Sequence, residues 1–142
     1  MLGKNRMMVD PAWYELRDSV HAKQFQQAAA LLVANPSLVS LKNGLGETVL
    51  HDLAVENDLE AVAWLHEHGF SLDSHNDFGI PVVFEVAQLG YKELLLWLNQ
   101  AGANFRVVDG DGRSIVIYLR QFKTDKIIDM IDFVSGLLLP DS

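Results

Sequence analysis

Apolar residues recur along the chain at helical spacing, in short segments separated by polar breaks. The first such segment covers residues 12–34 and is interrupted near Ala22-Lys23, which indicates two helices. Asp10-Pro11 is typical of a helix start, and Asn35-Pro36 of a helix end. Later helices are predicted over residues 49–56, 59–68, 82–89, 92–101, 114–121 and 125–134. The pattern therefore predicts four helix pairs and almost no sheet.

Residues at fixed positions of these segments repeat every 33 residues. Gly46, Gly79 and Gly112 keep this interval, and so do Gly69 and Gly102. The same interval separates Ala54 from Ala87, Val49 from Val82, Glu60 from Glu93, Trp64 from Trp97 and Leu65 from Leu98. A fixed period of this size indicates a stack of similar units, each burying its apolar face on its neighbours.

The residues inside one unit resemble the ankyrin repeat. Thr48-Val49-Leu50-His51-Asp52-Leu53-Ala54 is similar to the T-P-L-H-x-A core of that family, whose period is also 33 residues. Gly102-Ala103-Asn104 resembles the family's G-A-D/N step. Val49 stands where the family usually has Pro. The resemblance covers roughly residues 20 to 134. It implies an all-α, ankyrin-like helix-turn-helix repeat solenoid with short hairpin loops.

The repeat register predicts one domain over residues 1–142. Its repeats would span approximately residues 9–45, 46–78, 79–111 and 112–142, the first and last being degenerate caps. Residues 1–8 are expected to be frayed, and Met7 or Met8 could be an alternative start to Met1. Residues 137–142 are expected to close the stack, with Leu137, Leu138 and Leu139 covering the last core layer.

The period also predicts which side chains face inward. They are Leu50, Leu53, Ala54, Val62, Leu65, Val83, Val86, Ala87, Leu95, Leu98, Val116, Leu119, Ile128 and Ile131. Trp64 and Trp97 are interpreted as stacking core residues, and Met130 occupies the same position one repeat later. His66, Asn99 and Asp132 form a polar row in register. That row is either a solvated rear face or a polar ladder with a binding role.

The charge pattern favours a protein partner with a basic surface. The chain has 11 Lys and Arg against 19 Asp and Glu, for a net charge of −8. From Asn43 to Tyr91 there is no Lys or Arg. The acids of this stretch, the acidic span, are Glu47, Asp52, Glu56, Asp58, Glu60, Glu67, Asp73, Asp77 and Glu85. Such a field speeds encounter with a basic partner. It argues against nucleic acid, whose binding is led by Lys and Arg. Ordinary solubilising charge is the alternative.

Composition narrows the class of protein further. There is no cysteine, which excludes a disulfide framework. No apolar run approaches the roughly 18 residues of a membrane helix, and the N-terminus has no signal-peptide core. We expect a monomeric cytoplasmic protein without membrane contact.

No motif predicts catalysis, a cofactor or a metal site. Phosphate-loop, nucleophile-elbow and zinc-protease patterns are all missing from the sequence. Asp109-Gly110-Asp111-Gly112 is similar to part of a calcium loop but lacks the closing Glu, so a hairpin turn is favoured. His66 and His68 are two apart on a helix and face different directions. The resemblance implies that His51 is structural, bonding between neighbouring hairpins.

The resemblance implies a non-enzymatic protein-binding module. In the family, partners meet the hairpin tips and the exposed side of each first helix. We apply these family positions to this sequence and add Asp77 from the acidic span. The predicted partner-binding residues are Leu45, Glu47, Val55, Glu56, Asp77, Phe78, Ile80, Gln88, Leu89, Asp111, Arg113, Gln121 and Phe122. Local packing of Leu45, Phe78 and Ile80 between hairpins is the alternative. We favour an inhibitor or immunity-type protein that occupies its partner. An adaptor or scaffold is the second hypothesis, and a small-molecule binder or enzyme using the repeat groove the third.

Overall fold

A computed structural model describes residues 10–139. Its helices are α1 (Pro11–His21), α2 (Phe25–Ala34), α3 (Val49–Val55), α4 (Leu59–Glu67), α5 (Val82–Leu89), α6 (Lys92–Gln100), α7 (Ile115–Leu119) and α8 (Asp125–Leu138). A short 3-10 helix, Pro36–Val39, follows α2. Successive helices pack in pairs, and the first helices α1, α3, α5 and α7 contact one another in turn. This arrangement confirms the all-α helix-turn-helix repeat fold.

Side-chain caps fix where several helices begin. The Asp10 side chain accepts a hydrogen bond from Ala12 N at 2.9 Å, with Pro11 in the first helical turn. Thr48 caps α3 through His51 N at 3.2 Å, and Asp58 caps α4 through Ala61 N at 3.2 Å. Each cap pairs an N–H group that has no partner inside the helix. The predicted starts of α1, α3 and α4 are confirmed.

Three hairpin loops with the same hydrogen bonds lead into α3, α5 and α7. They span residues 43–47, 76–80 and 109–113. In each loop the first residue, Asn or Asp, accepts hydrogen bonds through Oδ1 from the N–H groups two and four residues later, at 2.9–3.0 Å. Asn and Asp stabilise turns in this way. Each loop is therefore stabilised by an Asn or Asp at a position that recurs every 33 residues, namely Asn43, Asn76 and Asp109.

Backbone hydrogen bonds join the tips of adjacent hairpins. Asp77 N donates to Leu45 O at 2.9 Å, and Gly110 N donates to Gly79 O at 3.0 Å. Gly79 has φ +75°, and a Cβ atom on it would lie 2.7 Å from Gly110 Cα. The second and third hairpins thus approach too closely for any side chain at this position. The only β contact among residues 10–139 is an isolated bridge between His75 and Pro81.

The core follows the predicted positions through the second and third helix pairs. The residues predicted to face inward from Leu50 to Leu98 are all buried, and α1 contributes Trp13, Leu16 and Val20. The Trp13 indole also donates to Glu47 O at 3.1 Å, which ties α1 to the first hairpin. A single core therefore runs along the stack.

In the last pair the predicted core positions are partly wrong. Ile128 is 58% exposed, and Val116 and Ile131 are only half-buried. The buried residues there are Ile115, Tyr118, Leu119, Ile127, Met130 and Val134. The prediction applied to α7 and α8 the inward positions of earlier repeats, and each of those repeats has another repeat stacked on it. None of the described helices covers α8 in that way, so the face bearing Ile128 meets solvent.

The bounds of the last two helices also differ from the prediction. Helix α7 is shorter than residues 114–121, whereas α8 continues past residue 134 to Leu138. The expected closing segment is thus the end of this helix, where Leu137 and Leu138 are half-buried and Leu139 is 70% exposed. The expectations for residues 1–8 and 140–142 lie outside the described residues. Within residues 10–139, no helix is both long and apolar enough to cross a membrane.

Candidate interaction surface

The hairpin tips present apolar side chains to solvent. Phe78 is 71% exposed and Leu45 is 49% exposed, while Ile80 is half-buried against the core. Asp77 and Asp111 are exposed beside them. We call these five residues the hairpin strip. The backbone bonds between adjacent tips hold its members in a fixed order along one edge of the stack.

Arg113 and Asp109 form a rigid base under the third tip. Arg113 Nε donates to Asp109 Oδ2 at 2.8 Å, and Asp109 is buried. Burial alone would raise the pKa of Asp109, but the hydrogen bonds from the backbone and side chain of Arg113 outweigh it and hold the pKa below its ordinary value. Arg113 itself is half-buried and lies 3.2 Å from Asp111, so it balances the acidic charge of this tip.

The predicted residues of the first helices gather around Tyr118. The Tyr118 hydroxyl donates to Gln88 Oε1, Gln121 Nε2 donates to Tyr118 O at 2.9 Å, and the Phe122 ring lies 5.5 Å from the Tyr118 ring. Burial, with a contribution from Glu85, raises the pKa of Tyr118 to about 12. Sequence reasoning missed this centre, although Tyr118 lies in the same register as Glu85 and Asp52.

The other predicted residues of the first helices lie around the ends of α3 and α5. Val55 and Leu89 are half-buried, and Glu56 is exposed. The Tyr91 hydroxyl donates to Val55 O at 3.0 Å, which ties the end of α3 to the next helix pair. Each of these residues keeps some exposed surface for a partner.

Glu47 was predicted to face solvent at the first tip, and this is wrong. Its side chain folds inward beneath the hairpin and the residue is 7% exposed. Asn43 Nδ2 donates to Glu47 Oε1 at 3.1 Å. Burial raises the pKa of Glu47, and the hydrogen bond from Asn43 opposes that rise.

Glu47 belongs to a buried cluster that joins two repeats. His51 Nε2 lies 2.8 Å from Glu85 Oε1 on α5 and 3.9 Å from Glu47 Oε2. Asn76 Nδ2 donates to the same Glu85 oxygen at 3.0 Å. We call Glu47, His51 and Glu85 the repeat clasp. His51 was expected to bond between hairpins; its partner is instead a carboxylate on the first helix of the next repeat.

The repeat clasp is also the one group of described residues whose ligand atoms could surround a metal ion. These atoms lie within 4.8 Å of one another. The 2.8 Å between His51 Nε2 and Glu85 Oε1, however, is a hydrogen-bond distance. In a tetrahedral zinc site, ligand atoms about 2.0–2.1 Å from the ion are separated by about 3.3–3.4 Å, which is longer than this distance. The geometry therefore fits a hydrogen-bonded link between repeats, and the absence of a metal site stays a prediction.

Arg17 on α1 and Lys23 just after that helix balance part of the acidic span. Arg17 Nε lies 2.8 Å from Asp52 Oδ2, and an Arg17 terminal nitrogen lies 3.6 Å from Glu56. Lys23 and His21 both contact Asp58. Burial would raise the pKa of Asp58, but the hydrogen bonds from Lys23 and His21 outweigh it and lower that pKa. The acidic field is thus weaker here than the sequence indicates.

Four acids of the span remain exposed and form no ion pair among residues 10–139. They are Glu60, Glu67, Asp73 and Asp77. Only Asp77 lies on the hairpin strip. The predicted polar row is uneven, because His66 and Asn99 are half-buried and Asp132 is exposed. The His66 and Trp97 rings pack edge to face with centroids 5.9 Å apart, which is local packing.

Comparison with known families agrees with the architecture. The family model described as ankyrin repeats (many copies) matches residues 50–98, from α3 to α6. Residues 50–98 therefore match the ankyrin repeat family, and the fold of the chain is consistent with an ankyrin repeat protein. Ankyrin repeats are protein–protein interaction modules and are typically non-enzymatic. The resemblance read from the sequence is confirmed, while the four repeat boundaries near residues 46, 79 and 112 stay a prediction.

Proposed function

We propose that this ankyrin repeat protein binds a basic protein partner as a monomer and blocks it, as an inhibitor or immunity-type protein does. Its contact surface would be the hairpin strip together with Val55, Glu56, Gln88, Leu89, Arg113, Gln121 and Phe122. The observation that carries the proposal is the Phe78 side chain, 71% exposed at the tip of the middle hairpin. Glu47, being buried, is removed from the predicted surface and instead supports the first tip from below.

An exposed aromatic side chain on an ordered backbone is well placed to anchor a binding partner. Burying a Phe side chain is worth about 1.5–3 kcal/mol, and a preorganised loop loses little conformational entropy on binding. The Phe78 N–H donates to Asn76 Oδ1 at 3.0 Å, and the neighbouring Gly79 accepts from the third hairpin. The backbone around Phe78 is therefore ordered before any partner arrives.

The preference for a basic partner is supported by charge. The net charge is −8, and Asp77 and Asp111 lie exposed on the strip beside the apolar tips. Acidic groups around an apolar patch raise the rate of encounter with a basic surface and disfavour acidic competitors.

The test begins with a partner captured from the native host, followed by affinity measurements on purified proteins. Phe78→Ala combined with Leu89→Ala should weaken binding by about 2 kcal/mol or more, while the melting temperature barely moves. Ile128→Ala on α8 is the matched control, because it also truncates an exposed apolar residue, and it should leave affinity unchanged. A large fall in melting temperature with affinity retained in the folded fraction would show that Phe78 and Leu89 are packing residues.

The charge element has its own test. Asp77→Lys should slow association more than Glu93→Lys, a reversal of the same size on the outer face of α6. Raised salt should reduce the difference, because the Debye length is about 10 Å at 0.1 M. Equal rates for the two variants would count against a basic partner at the strip. Loss of the partner's own activity at saturation distinguishes an inhibitor from an adaptor, which would leave that activity intact.

A further inference from the structure

A second open surface lies on the second helices, away from the hairpin strip. A groove of about 430 Å³ runs between α2 and α4, lined by Phe25, Leu59, Ala63 and Trp64, with Glu60 and Glu67 as its charged members. Its apolar members are only half-buried. A concave apolar surface with a charged rim is typical of a groove that receives a helix.

The floor of this groove is held rigidly by ring contacts. Trp64 stacks on Phe25 with ring centroids 5.3 Å apart and an angle of 14° between the planes. His68 stacks on Trp64 at 3.8 Å, and its Nδ1 lies 2.8 Å from Trp64 O. The aromatic surface that a ligand would meet is thus already positioned, which lowers the entropic cost of binding.

The rim of the groove carries two unpaired negative charges. Glu60 and Glu67 are exposed, and neither forms an ion pair within the described part of the chain. They lie seven residues apart on α4, which places them on one face of that helix, about 10.5 Å apart along its axis. A partner helix lying along α4 would match them with two cations at the same seven-residue spacing.

Elsewhere on the second helices a cation does lie over an aromatic ring. Lys92 on α6 places its Nζ 5.7 Å from the centre of the Phe133 ring on α8. Cations are attracted to aromatic faces at this distance, and the Lys stem covers apolar surface. Between α2 and α4 the aromatic rings and the acids are present, but no Lys or Arg lines the groove.

We propose that the groove between α2 and α4 binds an amphipathic helix of a partner protein, one with two Lys or Arg residues seven apart and apolar residues between them. The apolar residues would cover Ala63 and Trp64, and the two cations would reach Glu60 and Glu67. This site is separate from the hairpin strip and does not depend on the function proposed for that strip.

A designed peptide tests the proposal directly. The probe is an Ala-rich helical peptide of about 20 residues with two Lys seven apart and two Leu between them. Calorimetry gives its dissociation constant, and the indole N–H resonances of Trp13, Trp64 and Trp97 report where it binds. We expect the Trp64 resonance to shift most. Glu60→Gln with Glu67→Gln should weaken binding about three- to tenfold, which lies within the range for two exposed ion pairs.

Matched controls make every outcome decisive. Glu93→Gln, the equivalent of Glu60 one repeat later, should leave the dissociation constant unchanged, as should Phe78→Ala on the hairpin strip. A peptide with Glu in place of both Lys should bind at least tenfold more weakly. Equal binding by the wild type and the Glu60/Glu67 variant would overturn the proposal. Binding that is lost with Phe78→Ala would also overturn it, and would assign the basic helix to the hairpin strip instead.

Discussion

Replacing Gly79 with Ala should destabilise the stack through two separable effects. Gly79 has φ +75°, and an L-residue in the left-handed region costs about 1–2 kcal/mol. The new Cβ would also lie 2.7 Å from Gly110 Cα, in the hairpin of the next repeat. Because this neighbour is backbone, the two tips must separate, and overpacking of this kind costs about 1–3 kcal/mol. We expect a total loss of about 2–5 kcal/mol in the free energy of unfolding.

Gly112→Ala isolates the first effect. Gly112 occupies the same place in the third hairpin, with φ +79°, but a Cβ there would meet nothing within 4 Å. We expect it to cost only the backbone strain, about 1–2 kcal/mol. Urea unfolding of both variants, followed by far-ultraviolet circular dichroism, gives the two losses. Their difference should be about 1–3 kcal/mol. Equal losses would show that adjacent tips separate freely and that the hairpin strip is not rigid.

Three further predictions concern stability. Leu65→Ala, at a fully buried core position, should cost about 2–5 kcal/mol, whereas Ile128→Ala should cost under about 0.5 kcal/mol by urea unfolding. Because burial raises the pKa of Glu47, the protonated side chain favours the folded protein, and this stabilisation is lost as pH rises through that pKa. Glu47→Gln should therefore be relatively more stabilising at pH near 7 than near 4.5. The lowered pKa of Asp109 acts in the opposite direction. The ionised Asp109 side chain stabilises the folded protein above its ordinary pKa, and this stabilisation is lost as pH falls through the lowered pKa. Asp109→Asn should therefore flatten the acid limb of a plot of melting temperature against pH.

Local sequence signals predicted the starts of several helices well. Asp10, Thr48 and Asp58 were expected as caps, and each makes its cap hydrogen bond. These signals act within three or four residues, so the sequence order is sufficient to interpret them. The last helix pair was predicted less well, because the exposure of Ile128 depends on which elements cover α8 rather than on its own helix.

The candidate surface was less predictable, because it depends on contacts across repeats. Glu47 directly follows Gly46, at a position expected for a hairpin-tip residue, but its carboxyl group turns inward toward Asn43 and His51. Arg17, more than thirty residues away in the sequence, neutralises Asp52 on the next first helix. Neither contact has a local pattern in the sequence. Only the recurrence of Asn43, Asn76 and Asp109 could have revealed how rigidly the tips are held.

The most direct test of the hairpin strip is to map the captured partner onto the protein by amide chemical-shift perturbation. We expect the largest shifts at Leu45, Asp77, Phe78 and Ile80, with smaller ones around Tyr118. Shifts concentrated on α2 and α4, or on α8, with none at the hairpin tips would contradict it.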